Sequence, residues 1–315
     1  MEIFKLPEKL IFKTKNSINQ KIELPEQLGV SLYLKREDRI HPVISGNKYR
    51  KLKYNILEAE SLGYDKLLSF GGAFSNHIAA VASVGKEFGF KTIGVIRGEE
   101  LQSKIEDNPT LNYAQNCGMQ FKFIDRETYR EKTSKTFIEN LKKDFDHYYL
   151  IPEGGTNELA IKGCEEILAV KDLDFDFVCC SVGTGGTIAG LINSSKSSQQ
   201  VLGFPALKGG FLINEITKFA KKTNWNLVTD YHFGGYAKVS KELIDFINEF
   251  KDKNEIQLDP VYTGKMMYGI MDLIQKEFFP KGSKILAIHT GGLQGIKGMN
   301  KLLFKKKLPR VSYEG

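Results

Sequence analysis

Between residues 49 and 151 short apolar runs alternate with helix-spaced ones, and few folds can accommodate that alternation. Leu52, Ile56 and Ala59 recur at helical spacing within residues 49–62, and Gly63 stops them as a C-cap would. Lys66 to Phe70 reads as a strand and Gly71-Gly72 as a loop. Ile78, Ala82 and Val84 then mark a helix that ends at Gly89. Thr92 to Ile96 is a further strand. Asn108-Pro109 is a helix start, a capping residue followed by proline at the first helical position. Met119, Phe121 and Phe123 alternate as a strand should, and a charged helix over 127–143 leads to the strand Tyr148 to Ile151. A helix between successive strands implies a parallel sheet covered by helices on both faces.

The second half repeats this grammar. An apolar strand, Phe175 to Val182, runs into a glycine loop, and a helix begins near Thr187. Strands are predicted near 201–204, 225–231 and 284–289, with helices near 212–222, 240–251 and 265–277. There is no internal repeat, low-complexity tract or long linker. The predicted fold is therefore α/β, with two open parallel-sheet lobes carrying helices on both faces. Open parallel sheets bind ligands outside the carboxyl ends of their strands, so the site is expected between the lobes.

Composition removes several function classes. At 315 residues, 41% apolar and 26% charged, the chain is an ordinary globular sequence with enough material for a sizeable core. Its formal charge of +7 comes from lysines spread along most elements. The one dense run, Lys305-Lys306-Lys307, reads as a solvated tail, and no nucleic-acid partner is expected. Cys117, Cys164, Cys179 and Cys180 show no C-x-x-C spacing, and the adjacent pair is expected to face a buried sheet. That usage suits a reducing compartment without disulfides or zinc. No metal site is expected, because the five histidines lack paired spacing. Met1-Glu2-Ile3-Phe4-Lys5 lacks a signal peptide's apolar core, and no run of 18 apolar residues occurs. The expectation is a soluble cytoplasmic protein with no membrane partner.

Three distant stretches carry chemistry. Gly183-Thr184-Gly185-Gly186-Thr187 lies between a buried strand and a helix start, where free backbone N–H groups and the helix dipole favour an anion. It lacks the lysine of a P-loop and the third glycine of the dinucleotide fingerprint. Its plain alternative is a structural strand-to-helix turn. Lys48, in Ser45-Gly46-Asn47-Lys48-Tyr49-Arg50, precedes an amphipathic helix; its plain alternative is a surface lysine among 45 lysines and arginines. Ser75-Asn76-His77 follows Gly71-Gly72-Ala73-Phe74 at another helix start, where simple N-capping is common. A Ser-His hydrolase would need a G-x-S-x-G elbow, which Ser75 lacks. Together the three supply an amine for an aldehyde, a polar loop for a ring and a glycine cup for a phosphate. Those are the requirements of pyridoxal phosphate, whose aldehyde forms a Schiff base with lysine.

Gly46-Asn47-Lys48-Tyr49-Arg50-Lys51-Leu52, Ser75-Asn76-His77, Asp259-Pro260-Val261-Tyr262-Thr263-Gly264-Lys265 and His289-Thr290-Gly291-Gly292 closely resemble the family of 1-aminocyclopropane-1-carboxylate deaminase and D-cysteine desulfhydrase. The match runs in order from about residue 30 to about 295. This resemblance implies the tryptophan synthase β-subunit-like fold of fold type II pyridoxal phosphate (PLP) enzymes. Its larger cofactor-binding domain would comprise 1–48 and 153–315, and its smaller α/β domain 49–152. It further implies that Lys48 carries the cofactor, that Gly183, Thr184, Gly185, Gly186 and Thr187 hold its phosphate, and that Asn76 bonds the ring hydroxyl. Ser75 and His77 would face the substrate with Asn76, Tyr236 and Tyr262 would be the two active-site tyrosines, and Thr263 would face the pyridine nitrogen. Ser75, Tyr236 and Tyr262 would join Lys48 as catalytic groups. Two positions depart from the family: Ile78-Ala79-Ala80 replaces a polar pair, and Thr263 stands where the deaminases tend to carry glutamate. The expected activity is a PLP-dependent lyase acting on a small amino acid, with α,β-elimination from D-cysteine first. The alternatives are ring-opening deamination of 1-aminocyclopropane-1-carboxylate and a PLP-binding protein with weak catalysis. A homodimer is the expected assembly.

Overall fold

The computed structural model describes residues 14–313, so the N-terminal segment read above for targeting lies outside the described residues. The strands and α-helices run β1 (Asn19–Ile22), β2 (Ser31–Lys35), α1 (Asn47–Ser61), β3 (Lys66–Gly71), α2 (Asn76–Phe88), β4 (Lys91–Arg97), α3 (Pro109–Asn116), β5 (Gln120–Ile124), α4 (Lys135–Phe145) and β6 (Tyr149–Ile151). They continue with α5 (Glu158–Glu165), β7 (Phe177–Val182), α6 (Gly186–Ser194), β8 (Gln200–Pro205), α7 (Phe211–Thr217), β9 (Trp225–Leu227), α8 (Lys241–Asn254), α9 (Thr263–Gln275), β10 (Lys284–Ile288) and α10 (Gly295–Lys305).

These strands form two sheets. One has the order β1-β2-β10-β7-β8-β9, the other β5-β4-β3-β6. Every pairing is parallel except β1 with β2. Both faces of each sheet are covered, as parallel sheets require. In the smaller sheet Leu67 faces a cluster with Leu52, Ile56 and Val81, while its neighbour Leu68 faces Leu141 and Tyr129 on the other side. In the larger sheet Cys179 packs with Met266 and Ile270 of α9, and Cys180 with Ile188 and Leu191 of α6. Both cysteines are fully buried in β7, and all four cysteines are unpaired. Among the described residues no helix is long and apolar enough to cross a membrane.

Two glycines bring the start of α1 close to the start of α6. A Cβ on Gly163 of α5 would stand 1.8 Å from the Arg50 carbonyl oxygen, and one on Gly190 of α6 would stand 2.4 Å from Cys164 Cβ. Only hydrogen at these positions allows α1, α5 and α6 to pack backbone to backbone. The loop before α1 is pinned in turn by Gly46, which has φ +58° and passes so near Thr290 that a Cβ would meet the Thr290 oxygen at 2.2 Å.

Several sequence expectations change. The charged helix over 127–143 is broken: a 3-10 turn, Thr128–Glu131, precedes α4, which starts afresh where Ser134 accepts the Phe137 N–H at 3.3 Å. The strand over 225–231 shortens to Trp225–Leu227, because β9 is an edge strand and the chain turns away after Val228 bonds the Gly203 carbonyl. The helix over 212–222 ends at Thr217. Strands β1 and β2 and helices α5 and α10 were not anticipated at all.

Candidate active site

Lys48 lies in the first turn of α1, partly buried. Its Nζ donates to Asn47 Oδ1 at 2.8 Å, and Asn47 Nδ2 donates to Thr187 Oγ1 at 2.9 Å. Two residues 140 positions apart are thereby joined into one unit. Burial, then the charge of Lys51, pushes the Lys48 amine down to about 7.

Lys51, one helical turn further along, has its amine over the glycine cup. Its Nζ donates to the Gly154 carbonyl at 2.9 Å, Thr156 Oγ1 at 3.0 Å and Thr184 Oγ1 at 3.2 Å. The cup itself follows β7. Gly185 caps α6 with φ +83°, and the first-turn N–H groups of α6 have no intrahelical acceptor. A buried cation beside a helix N-terminus is an anion site.

Ser75, Asn76 and His77 start α2. Ser75 does cap the helix, accepting the Ile78 N–H at 3.3 Å, so the plain structural role is real. His77 is 2% exposed, and its Nε2 lies 2.8 Å from Ser69 Oγ. The single Ser69 hydroxyl proton goes to the Ile151 carbonyl at 2.8 Å, so Nε2 carries a proton and Nδ1 is left as an acceptor. Burial, with the charges of Lys48 and Lys51, holds this imidazole well below its usual range, hence neutral. Its Nδ1 and the Asn76 Oδ1 are both buried without a protein partner.

The two tyrosines stand opposite each other, ring centroids 6.3 Å apart in an edge arrangement. Asp259 holds Tyr262: its Oδ1 accepts the Val261 and Tyr262 N–H groups at 2.9 and 2.8 Å. Lys265 holds Tyr236 by donating to the His232 and Gly235 carbonyls at 2.9 and 2.8 Å, across a loop where Phe233 and Ala237 have positive φ. Burial first, then Tyr236 and Asp259, pushes the Tyr262 hydroxyl well above its ordinary value. Thr263 is fully buried; its hydroxyl donates to Asp259 Oδ2 at 2.7 Å and accepts the Asp259 N–H at 2.9 Å. A contact from Thr263 to a ring nitrogen would need that same proton, which is already donated to Asp259.

Residues 18–291 match the family described as pyridoxal-phosphate dependent enzyme. The chain belongs to that family. Within it, the chain is a member of the 1-aminocyclopropane-1-carboxylate deaminase and D-cysteine desulfhydrase group. It is 33% identical to a protein of Pyrococcus abyssi provisionally named 1-aminocyclopropane-1-carboxylate deaminase, over 87% of this chain and 88% of the relative. It is 30% identical to the mitochondrial bifunctional D-cysteine desulfhydrase/1-aminocyclopropane-1-carboxylate deaminase of Arabidopsis thaliana, over 85% of this chain and 74% of the relative. Among solved structures, an ACC deaminase homologue superposes with a TM-score of 0.78 at 30% identity, covering 92% of this chain and 93% of that one.

The residues present fit pyridoxal phosphate. The Lys48 amine has no acidic partner, the cup presents free N–H groups beside Lys51, and the orphaned Asn76 Oδ1 and His77 Nδ1 are polar atoms that a ring and its substituents can satisfy. Sequence reasoning missed Lys51, Thr156 and Lys265. The signal for Lys51 was its i+3 spacing from Lys48, which places both amines on one face of α1.

Proposed function

We propose that this PLP enzyme is a lyase catalysing α,β-elimination from a small β-substituted amino acid, with D-cysteine first. Water and D-cysteine would give sulfide, pyruvate and ammonia. The observation that carries this reading is the Lys48 amine: partly buried, pushed to about 7 and tied through Asn47 to the anion cup. When bound, pyridoxal phosphate supplies an aldehyde for an amine and a ring that accepts electrons.

Each remaining part belongs to the chain itself. Lys51 and the start of α6 hold the phosphate, and Asn76 bonds the ring's polar edge. The N–H groups at the start of α2 and the Ser75 hydroxyl receive the substrate carboxylate. Lys48 is the base, because its Nζ is substantially neutral near pH 7 while Tyr262 keeps its proton. Tyr262 is then a proton donor, aligned by Asp259, with Tyr236 opposite it.

Ring opening of 1-aminocyclopropane-1-carboxylate is the second reading; the name of the P. abyssi relative favours it, while that of the A. thaliana relative carries both activities. Elimination is put first because position 263 is a threonine whose hydroxyl donates to Asp259, where the deaminases tend to carry a carboxylate. The proposal extends to a cytoplasmic homodimer with domains 1–48 plus 153–315 and 49–152. Unpaired cysteines support a reducing compartment, and sheets drawn from 19–35 plus 177–288 and from 66–151 support the boundaries. Sedimentation velocity tests the dimer.

The deciding experiment combines borohydride reduction and peptide mapping with a screen of D- and L-amino acids for 2-oxo acid release, against a cofactor-free control. We expect the label on Lys48, turnover of D-cysteine or β-chloro-D-alanine, and little from 1-aminocyclopropane-1-carboxylate. A label on another lysine, or efficient ring opening with no elimination from any amino acid, refutes the reading.

A further inference from the structure

All four strands of the smaller sheet are parallel, so the segments after them gather along one edge. Gly72 to Asn76 follow β3, Arg97 is the last residue of β4, Tyr129 follows β5 and Glu153 follows β6. Arg97 is exposed there, with its guanidinium beside Gly72: a Cβ on Gly72 would stand 3.6 Å from Arg97 Nη2. The guanidinium carbon is 5.7 Å from the centre of the Tyr129 ring, which supports it without using its N–H donors.

The nearby acids are engaged elsewhere. Glu153 accepts the Tyr129 hydroxyl at 2.8 Å and pairs with Lys132 at 3.2 Å, and Glu100 pairs with Arg126 at 2.5 Å. Among the described residues none forms an ion pair with Arg97. Across the cleft, burial raises the Tyr236 hydroxyl, while the bond to Tyr262 and the charge of Arg97 pull it back. Arg97 is thus within electrostatic reach of a tyrosine held on the larger lobe, and both are exposed, Tyr236 at 43%. That places a free guanidinium at the mouth of the site.

The substrate's α-carboxylate has its own seat at the start of α2, a helix of 13 residues. A guanidinium fork beyond Gly72 is available to something else. We propose that Arg97 reads a second anionic group on the substrate, so that amino acids whose β-substituent bears a carboxylate or similar oxyanion bind better than their uncharged isosteres. Guanidinium is suited to this, being planar, always charged and able to grip two oxygens together. The inference rests on the amino-acid site proposed above and narrows its substrate class.

The test is calorimetric binding of aspartate and asparagine, each enantiomer separately, to the cofactor-loaded protein. The two ligands match in shape and differ in one charge. For the better-bound enantiomer, the wild type is expected to favour aspartate by about tenfold or more, the range of one charge-assisted hydrogen-bonded contact. R97Q is expected to bring the ratio near unity, and R97K to restore part of it, since lysine keeps the charge without the fork. Equal wild-type affinities, or a preference that survives R97Q, overturn the Arg97 assignment and leave the enzyme reading standing. A wild-type protein that binds neither aspartate nor asparagine overturns the Arg97 assignment, and one that binds no D-cysteine either overturns both.

Discussion

Replacing Lys51 with methionine keeps most of the aliphatic stem and removes one buried charge, so its consequences can be worked from the structure. Lys51 Nζ makes three hydrogen bonds around the glycine cup, to Gly154, Thr156 and Thr184. A phosphate at that cup would take over one of these three donors as a charge-assisted contact, displacing a protein oxygen. Such contacts contribute about 1.5–3 kcal/mol net, so the variant should bind pyridoxal phosphate about 10- to 150-fold more weakly. A second effect falls on Lys48. Burial is the larger cause of its low value and the Lys51 charge the next, so Lys51→Met should move the Lys48 amine up from about 7 while leaving it below 10.5. Two assays read these separately. Cofactor titration into apoprotein gives the dissociation constant, and the pH dependence of Lys48 acylation in apoprotein gives the midpoint of the amine. Lys51→Arg is the control, since it preserves charge at the cup. A folded Lys51→Met protein with unchanged cofactor affinity and an unchanged Lys48 midpoint would refute both the anion role of Lys51 and its coupling to Lys48.

The other expectations follow from single features of the site. Gly185→Val places a Cβ 3.1 Å from Ile216 Cγ1 at a residue with φ +83°, so it should lower stability by about 1–3 kcal/mol and weaken cofactor retention; thermal unfolding and cofactor titration check both, and an unaffected variant returns the loop to a structural turn. Tyr262→Phe should stay folded and keep its cofactor but lose turnover by roughly 10²–10⁴-fold, the effect of a missing acid–base group, and Ser75→Ala should lower turnover through poorer seating of the substrate carboxylate; near-normal rates in both would remove these residues from the chemistry. The Lys48 contribution to apoprotein stability should rise with pH above about 7: Lys48 is pushed down to about 7 when folded and lies at 10.5 when unfolded, so the unfolded chain binds more protons at this residue in that window, while the thiols of Cys164, Cys179 and Cys180, pushed up by burial, work in the opposite direction. The slope is bounded by about 1.4 kcal/mol per pH unit and is reduced by the partial exposure of Lys48. Urea unfolding of wild type and Lys48→Met at about pH 7 and 9 should show the wild type gaining stability relative to the variant; parallel pH profiles would contradict the low Lys48 value.

What the chain determined alone is local. Helical spacing, the Asn108-Pro109 cap, the glycine stops and the buried run ending at Val182 are properties of a few neighbouring residues, and each survived folding. The motif at Lys48 and the one at Gly183–Thr187 were legible for the same reason. Elements whose local signal is masked were not. Strand β2 ends on Lys35, a fully buried lysine whose partner Asp172 sits 2.6 Å away and 137 residues along the chain. Helix α5 contains Gly163, a helix-weakening residue by propensity, required because Arg50 passes over it. Only the tertiary structure decided which donors remain free. Thr263 looked available until its hydroxyl was found donating to Asp259, Lys51 had no assigned role until three oxygens surrounded its amine, and Arg97 carried no signal until its neighbours were seen to pair with others. Hydrogen-bond capacity is a property of side-chain type, but its use depends on which distant atoms packing brings within about 3 Å.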